Sequence, residues 1–161
     1  MTTSDNAVEL QNATRSYIAK ISWDCPVAVN LTLKQRVRQK RIDLCIASTN
    51  FRHFMNRLNR VAFGNAVKRF GHRLQVITVT ELSHSNRLHH HAVIGRPDHI
   101  EFEQFKAHIE DCWRKTYWGY RETVVVPMTN FGWVSYITKL DQKPEFDLAI
   151  DWMNAHALKP T

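Results

Sequence analysis

The sequence predicts an α+β fold, a central antiparallel β-sheet with flanking helices, and three observations predict it. Apolar and polar residues alternate in short runs such as "VAVNLTL" (27–33). Apolar residues recur at helical spacing in longer stretches, of which 46–69 is the clearest. Two β-rich runs, 73–82 and 88–95, are separated only by "SHSNR", a polar stretch of hairpin-loop length.

Residues 1 to about 24 are polar and weakly patterned, which suits an N-terminal arm carrying a short helix. Residues 25–161 then form one domain, since 161 residues are too few for two comfortable ones. In 27–33, Val27, Val29, Leu31 and Leu33 share one face and Ala28, Asn30 and Thr32 the other, a half-buried strand. The run that follows, 34–41, holds the basic residues Lys34, Arg36, Arg38, Lys40 and Arg41. From 46 to 69, Phe51, Phe54, Met55, Leu58, Val61 and Ala62 keep helical spacing, with Arg52, Arg57 and Arg60 between them. This is an amphipathic helix with a basic outer face, stopping near Gly71.

The two hairpin strands come next, 73–82 and 88–95. Phe105, Ile109, Cys112 and Trp113 mark a second core-facing helix over about 100–118, and "YRETVVVPM" (120–128) is a β-branched strand closed by Pro127. "NFGWVSYITKLDQK" (130–143) reads as a short helix ended by Pro144, and "EFDLAIDWMNAHAL" (145–158) as a last amphipathic helix.

Charge and composition narrow the function. Lys and Arg number 22 against 15 Asp and Glu, a formal +7 with pI near 9.6. A polyanion is the expected partner, nucleic acid before a membrane surface. Cys25, Cys45 and Cys112 are odd in number, far apart and without a CxxC pairing, which argues against a disulfide framework and a cysteine zinc site. The scattered glycines form neither GxGxxG nor GxxxxGKS/T, so no nucleotide cofactor is expected. No basic start leads into an apolar core at the N-terminus, and no apolar run is long enough to span a bilayer. A soluble, cytoplasmic protein with no membrane attachment is expected.

The most informative stretch is "ELSHSNRLHHHAVI" (81–94). A loop symmetric about Ser85 sets Leu82 opposite Leu88, Glu81 opposite His89 and Val79 opposite His91. Side chains alternate along a strand, so His89, His91 and Glu81 share one face while His90 goes with Leu88 and Ala92 to the other. Two imidazoles and a carboxylate converging on a point suit a divalent cation with positions left for water or substrate. Spacing alone also allows a plain cross-strand polar pair on a wet sheet face. Further on, in "WVSYITKL", Tyr136 and Lys139 are three apart on the expected helix and hence on one face.

An alternating strand with a central threonine ("VNLTL"), a His-x-His run ("HHHAVI") with a glutamate eight positions before it, and Tyr-x-x-Lys ("YITK") occur in that order. Over roughly residues 27 to 141 the chain thus resembles the HUH endonucleases, in particular the single-tyrosine rolling-circle replication initiators called Rep proteins. The resemblance implies an RRM-like or ferredoxin-like sheet with flanking helices. It also implies His89 and His91 as metal ligands with Glu81 as the third, Tyr136 as nucleophile and Lys139 as a helper near the phosphate.

Mg²⁺ or Mn²⁺ would be the cofactor and single-stranded DNA, an origin or hairpin, the substrate; the product would be a 5′-phosphotyrosyl enzyme. The basic residues Lys34, Arg36, Arg38, Lys40, Arg41 and Arg52 are expected on phosphates, and Tyr117, Trp118 and Tyr120 are candidate platforms for unpaired bases. His90 departs from the family pattern, whose middle position is usually bulky and apolar, so the choice among the three histidines rests on alternation. Many viral Rep proteins continue into a helicase. Here a helicase would be a separate protein, or the chain is a fragment, and a bacterial plasmid or phage is the expected host element. A relaxase or single-strand transposase would share this chemistry. A non-catalytic single-strand binder would leave Tyr136 idle, and so would a non-haem iron oxygenase, which leaves the charge unexplained as well.

Overall fold

The alternation in β1 (Pro26–Leu33) gives that strand two faces to bury, and it lies inside the sheet. In the computed structural model, which describes residues 3–130, 132–138 and 150–159, β1 pairs antiparallel with β5 (Leu88–Gly95) on one side and β6 (Gly119–Pro127) on the other. β4 (Val76–Leu82) pairs with β5, and the sheet order is β4-β5-β1-β6. This is the α+β architecture the patterning predicts. The basic run folds as a small hairpin of β2 (Arg36–Val37) and β3 (Lys40–Arg41) at the end of β1.

Helix α2 (Leu44–Phe63) starts where the Asp43 carboxylate accepts the Ile46 N–H at 2.7 Å. It is shorter than its periodicity suggests. Gly64, at φ 55°, ends it, a short α3 (Ala66–Phe70) follows, and Gly71, at φ 67°, ends that. Glycine takes positive φ without steric penalty, so the first stop came one glycine early. Phe51, Phe54 and Leu58 of α2 and Phe105, Ile109 and Trp113 of α4 (Phe102–Arg114) pack on Val27, Val29, Leu31 and Leu33. All ten are buried, and they form the larger core.

The other sheet face is covered differently. Ile77, Val79 and Val93 pack against Ile18, Val134 and Ile150. Ile18 belongs to α1 (Thr3–Ala19), so the polar N-terminal stretch, expected as an arm with a short helix, is a helix of 17 residues docked by one buried edge. Val134 belongs to α5 (Gly132–Ile137).

The expected last helix is corrected. Its residues 145–149 lie outside the described residues, and from 150 on the chain is not an α-helix: Ile150 and His156 bridge to Val79 and Val76 around one 3₁₀ turn (Trp152–Asn154). β4 is an outer strand whose edge needs partners. Val76 and His156 exchange two hydrogen bonds of 3.1 Å, and the Asp151 N–H donates to the Thr78 carbonyl at 3.0 Å. Pairing this edge outweighs the helical periodicity of the segment. No helix among the described residues is long and apolar enough to cross a membrane.

Candidate metal centre

The hairpin has the predicted register: Leu82 faces Leu88, Glu81 faces His89 and Val79 faces His91. Its loop is held by the Ser83 N–H on the Arg87 carbonyl (2.9 Å) and the Asn86 N–H on the Ser83 carbonyl (2.8 Å). Asn86 takes φ 56°, a conformation asparagine tolerates better than most residues.

Glu81, His89 and His91 converge. The Glu81 Oε2 lies 3.4 Å from His89 Nε2 and 3.2 Å from His91 Nε2, and the two Nε2 atoms are 3.0 Å apart. Their ligand atoms all fall within 4.8 Å of one another. Glu81 is 3% exposed and His91 5%, while His89 is half-buried and opens the cluster to solvent. The donor set fits a divalent cation: two imidazole nitrogens and one carboxylate oxygen lie close enough to coordinate one ion, and they leave positions for water or a phosphate oxygen. His89 Nδ1 lies 3.3 Å from the Arg87 carbonyl. A proton on that nitrogen leaves the Nε2 lone pair facing the cluster.

His90 lies on the opposite face. It is fully buried beside Phe51 and Trp113, with ring centroids 5.1 and 5.9 Å away, and Nδ1 is 3.0 Å from Thr80 Oγ1. Burial lowers its pKa to about 4 against an opposing pull from Asp151. Below its ordinary pKa of 6.5 the unfolded chain takes up a proton that the folded protein refuses until about pH 4. Stability present above pH 6.5 is therefore lost as pH falls through this window, by on the order of 3 kcal/mol from this group. Urea unfolding in EDTA at neutral pH and near pH 4.5 measures the loss. His90→Leu is expected to flatten it, and an equal loss in the variant would assign it to other groups.

The face that carries the triad is the one α5 covers, through Val134 against Val79 and Val93. Tyr136 falls on α5 by its backbone. Its side chain, like Lys139, lies outside what the structure describes. Helix α1 grips the end of α5. Gln11 Nε2 donates to the Thr138 carbonyl, Arg15 Nε donates to Thr138 Oγ1 at 2.7 Å, and Arg15 Nη2 donates to the Ser135 carbonyl at 3.3 Å. Carbonyls at a helix end lack intrahelical donors, which these side chains supply.

Lys34, Arg36, Arg38, Lys40 and Arg41 are all exposed at the sheet end where the His89 row begins, since Thr32 pairs with His89. Arg52 is exposed on α2, which packs on the sheet face opposite the triad. Trp113 is core, and Trp118 is 7% exposed, while Tyr117 stands out at 62%. Sequence reasoning missed Gln35, which lies among the basic residues of 34–41. Its Nε2 donates to the Leu88 carbonyl at 2.9 Å and its Oε1 accepts the Leu88 N–H at 2.8 Å, which ties the basic hairpin to the residue before His89. It missed Gln11 and Arg15 as well, because a polar helix face carries no periodic signal for what it will grip.

The family model described as Replication-associated protein ORF2 matches residues 26–144, from the first residue of β1 to beyond α5. No curated protein and no solved structure matches the chain. The matched segment takes in the hairpin, the Glu81–His89–His91 cluster and the Tyr136 helix, and over this greater part of its length the chain belongs to the ORF2 family of replication-associated proteins.

Proposed function

We propose that this chain starts rolling-circle replication by nicking single-stranded DNA through a covalent tyrosyl intermediate. The observation that carries the reading is a Glu–His–His group, buried at Glu81 and His91 and open at His89, on the sheet face covered by the helix that bears Tyr136; membership of a replication-associated family supports it. A divalent cation held by Glu81, His89 and His91, Mg²⁺ or Mn²⁺, would polarise a non-bridging oxygen of the scissile phosphate. Tyr136 Oη attacks the phosphorus, the bond to the 3′ oxygen breaks, and the phenolic proton is lost as that oxygen gains one. The products are a 5′-phosphotyrosine and a free 3′-OH. Lys139 stabilises charge on the phosphate during the exchange. One phosphoester replaces another, so rejoining needs no nucleotide cofactor. Lys34, Arg36, Arg38, Lys40 and Arg41 hold the strand by its phosphates, with Arg52 on the far side as a weaker contributor.

The test is transfer of label from single-stranded DNA to protein on a denaturing gel. A labelled protein band in Mn²⁺ and none in EDTA is expected. Salt-sensitive binding with no band in either would instead favour a non-catalytic binder. The grip of α1 on α5 has its own consequence. Arg15→Ala is expected to slow nicking by about 10- to 100-fold, since small misplacements of a reacting group cost that much. Single-strand affinity, measured in parallel by anisotropy, should not change.

A further inference from the structure

We infer that the cleft between the β2–β3 hairpin and Tyr117 is a binding site for one unpaired nucleobase, within a few nucleotides of the scissile phosphate. The inference rests on the nicking reading for its substrate and on separate residues for its site. The cleft has a volume of about 390 Å³ and is lined by Val37, Arg38, Gln39, Lys40, Tyr117 and Trp118. It combines an aromatic face, an apolar wall, a carboxamide and two cations, which is what a base with its flanking phosphates needs.

Tyr117 is held outward by its turn. Thr116 Oγ1 donates to the Trp113 carbonyl at 2.7 Å and accepts from Asn50 Nδ2 at 3.0 Å and from the Gly119 N–H at 3.1 Å. Asn50 Oδ1 accepts the Trp118 N–H at 3.1 Å. A Cβ on Gly119 would meet the Trp113 carbonyl oxygen at 2.2 Å, so the turn closes only around glycine. Trp118 is thereby turned into the core and Tyr117 to solvent. A rigidly presented, exposed ring loses little entropy when a base stacks on it.

The opposite wall is fixed as firmly. Arg38 takes φ 53° at the hairpin tip, and Arg36 Nε donates to its carbonyl at 3.2 Å. The Lys34 N–H donates to the Trp118 carbonyl at 2.8 Å and Lys34 Nζ to the Tyr117 carbonyl at 3.2 Å, joining both walls to the end of β1. Through Gln35 the hairpin is tied to Leu88, next to His89. From Thr32, paired with His89, to Lys34 is two residues of strand, about 7 Å. The cleft therefore lies at the sheet end where the His89 row begins, with Val37 and Trp118 packed on the core beneath α2 and α4. A strand that rounds this end from the triad would meet it, with Gln39 placed to read a base edge there.

The experiment uses the full chain and fluorescein-labelled single strands of randomised sequence in EDTA, so that no chemistry occurs, alongside the covalent label transfer in Mn²⁺. Tyr117→Ala is expected to weaken single-strand binding about 5- to 100-fold, with duplex binding unchanged. Tyr117→Phe, which keeps the ring, should bind like wild type, and Arg38→Ala should lower the log–log salt slope by about one. Among strands selected from the random pool, Gln39→Ala is expected to lose preference at one position. Wild-type affinity in Tyr117→Ala, or an equal loss for duplex DNA, would overturn the pocket. If the affinities follow Tyr117 but wild type never forms the covalent adduct, the pocket stands and nicking fails. An adduct that forms equally well in wild type and Tyr117→Ala, with equal affinities, removes the pocket and keeps nicking.

Discussion

Tyr136→Phe is expected to reduce nicking by on the order of 10⁴-fold or more, the scale on which removal of a covalent nucleophile acts. Single-strand affinity should stay within about twofold, because binding draws on phosphate contacts that the change leaves intact. Phenylalanine keeps the ring and the helix propensity and removes only the attacking oxygen. The measurement is single-turnover cleavage of a labelled strand in Mn²⁺, with anisotropy in EDTA as the control for binding. The other tyrosines have other surroundings: Tyr17 packs edge-on against Trp152 at 5.9 Å, Tyr117 stands in the turn before β6, and the Arg121 guanidinium lies 5.7 Å over Tyr120. Cleavage near the wild-type rate in Tyr136→Phe would move the nucleophile to one of these or to water.

What was legible in the sequence was what a two-residue period dictates. In the hairpin, loop length and alternation fix the register, and a slip of one residue would have sent His90 to the cluster and His89 and His91 to the core. The larger core was legible from that period and the helical one together: Val27 to Leu33 alternate along a strand, and the α2 and α4 aromatics recur at helical spacing, so each buries one continuous stripe. The second face was not. Helix α1 buries Ile18 and grips α5 with polar side chains, so its stripe is too narrow to see. The segment from 150 to 158 has the amphipathic spacing of a helix, yet the unpaired edge of β4 captures it, a tertiary demand that local periodicity does not contain. For Gln35, the surrounding charges concealed a side chain that extends the backbone ladder between β1 and β5.

His91→Ala is expected to abolish activity and the response to metal together. In wild type, Mn²⁺ at about a hundred times its dissociation constant should add roughly 2.7 kcal/mol of stability, a rise of about 5–10 °C in the midpoint for a chain of this size. His91→Ala should show no rise, and it leaves the 3%-exposed Glu81 carboxylate with one imidazole fewer, so the metal-free variant should itself be less stable. Glu81→Gln separates the two effects. It also removes the metal response, but it replaces a buried charge with a neutral amide of the same shape, so in EDTA it should be at least as stable as wild type. Loss of the metal response in His90→Ala instead would put the ligands on the core face and contradict the alternation. The remaining pattern, a wild-type midpoint indifferent to Mn²⁺ and a His91→Ala variant that is merely less stable, would make Glu81, His89 and His91 a cross-strand polar cluster and take the cation out of the mechanism.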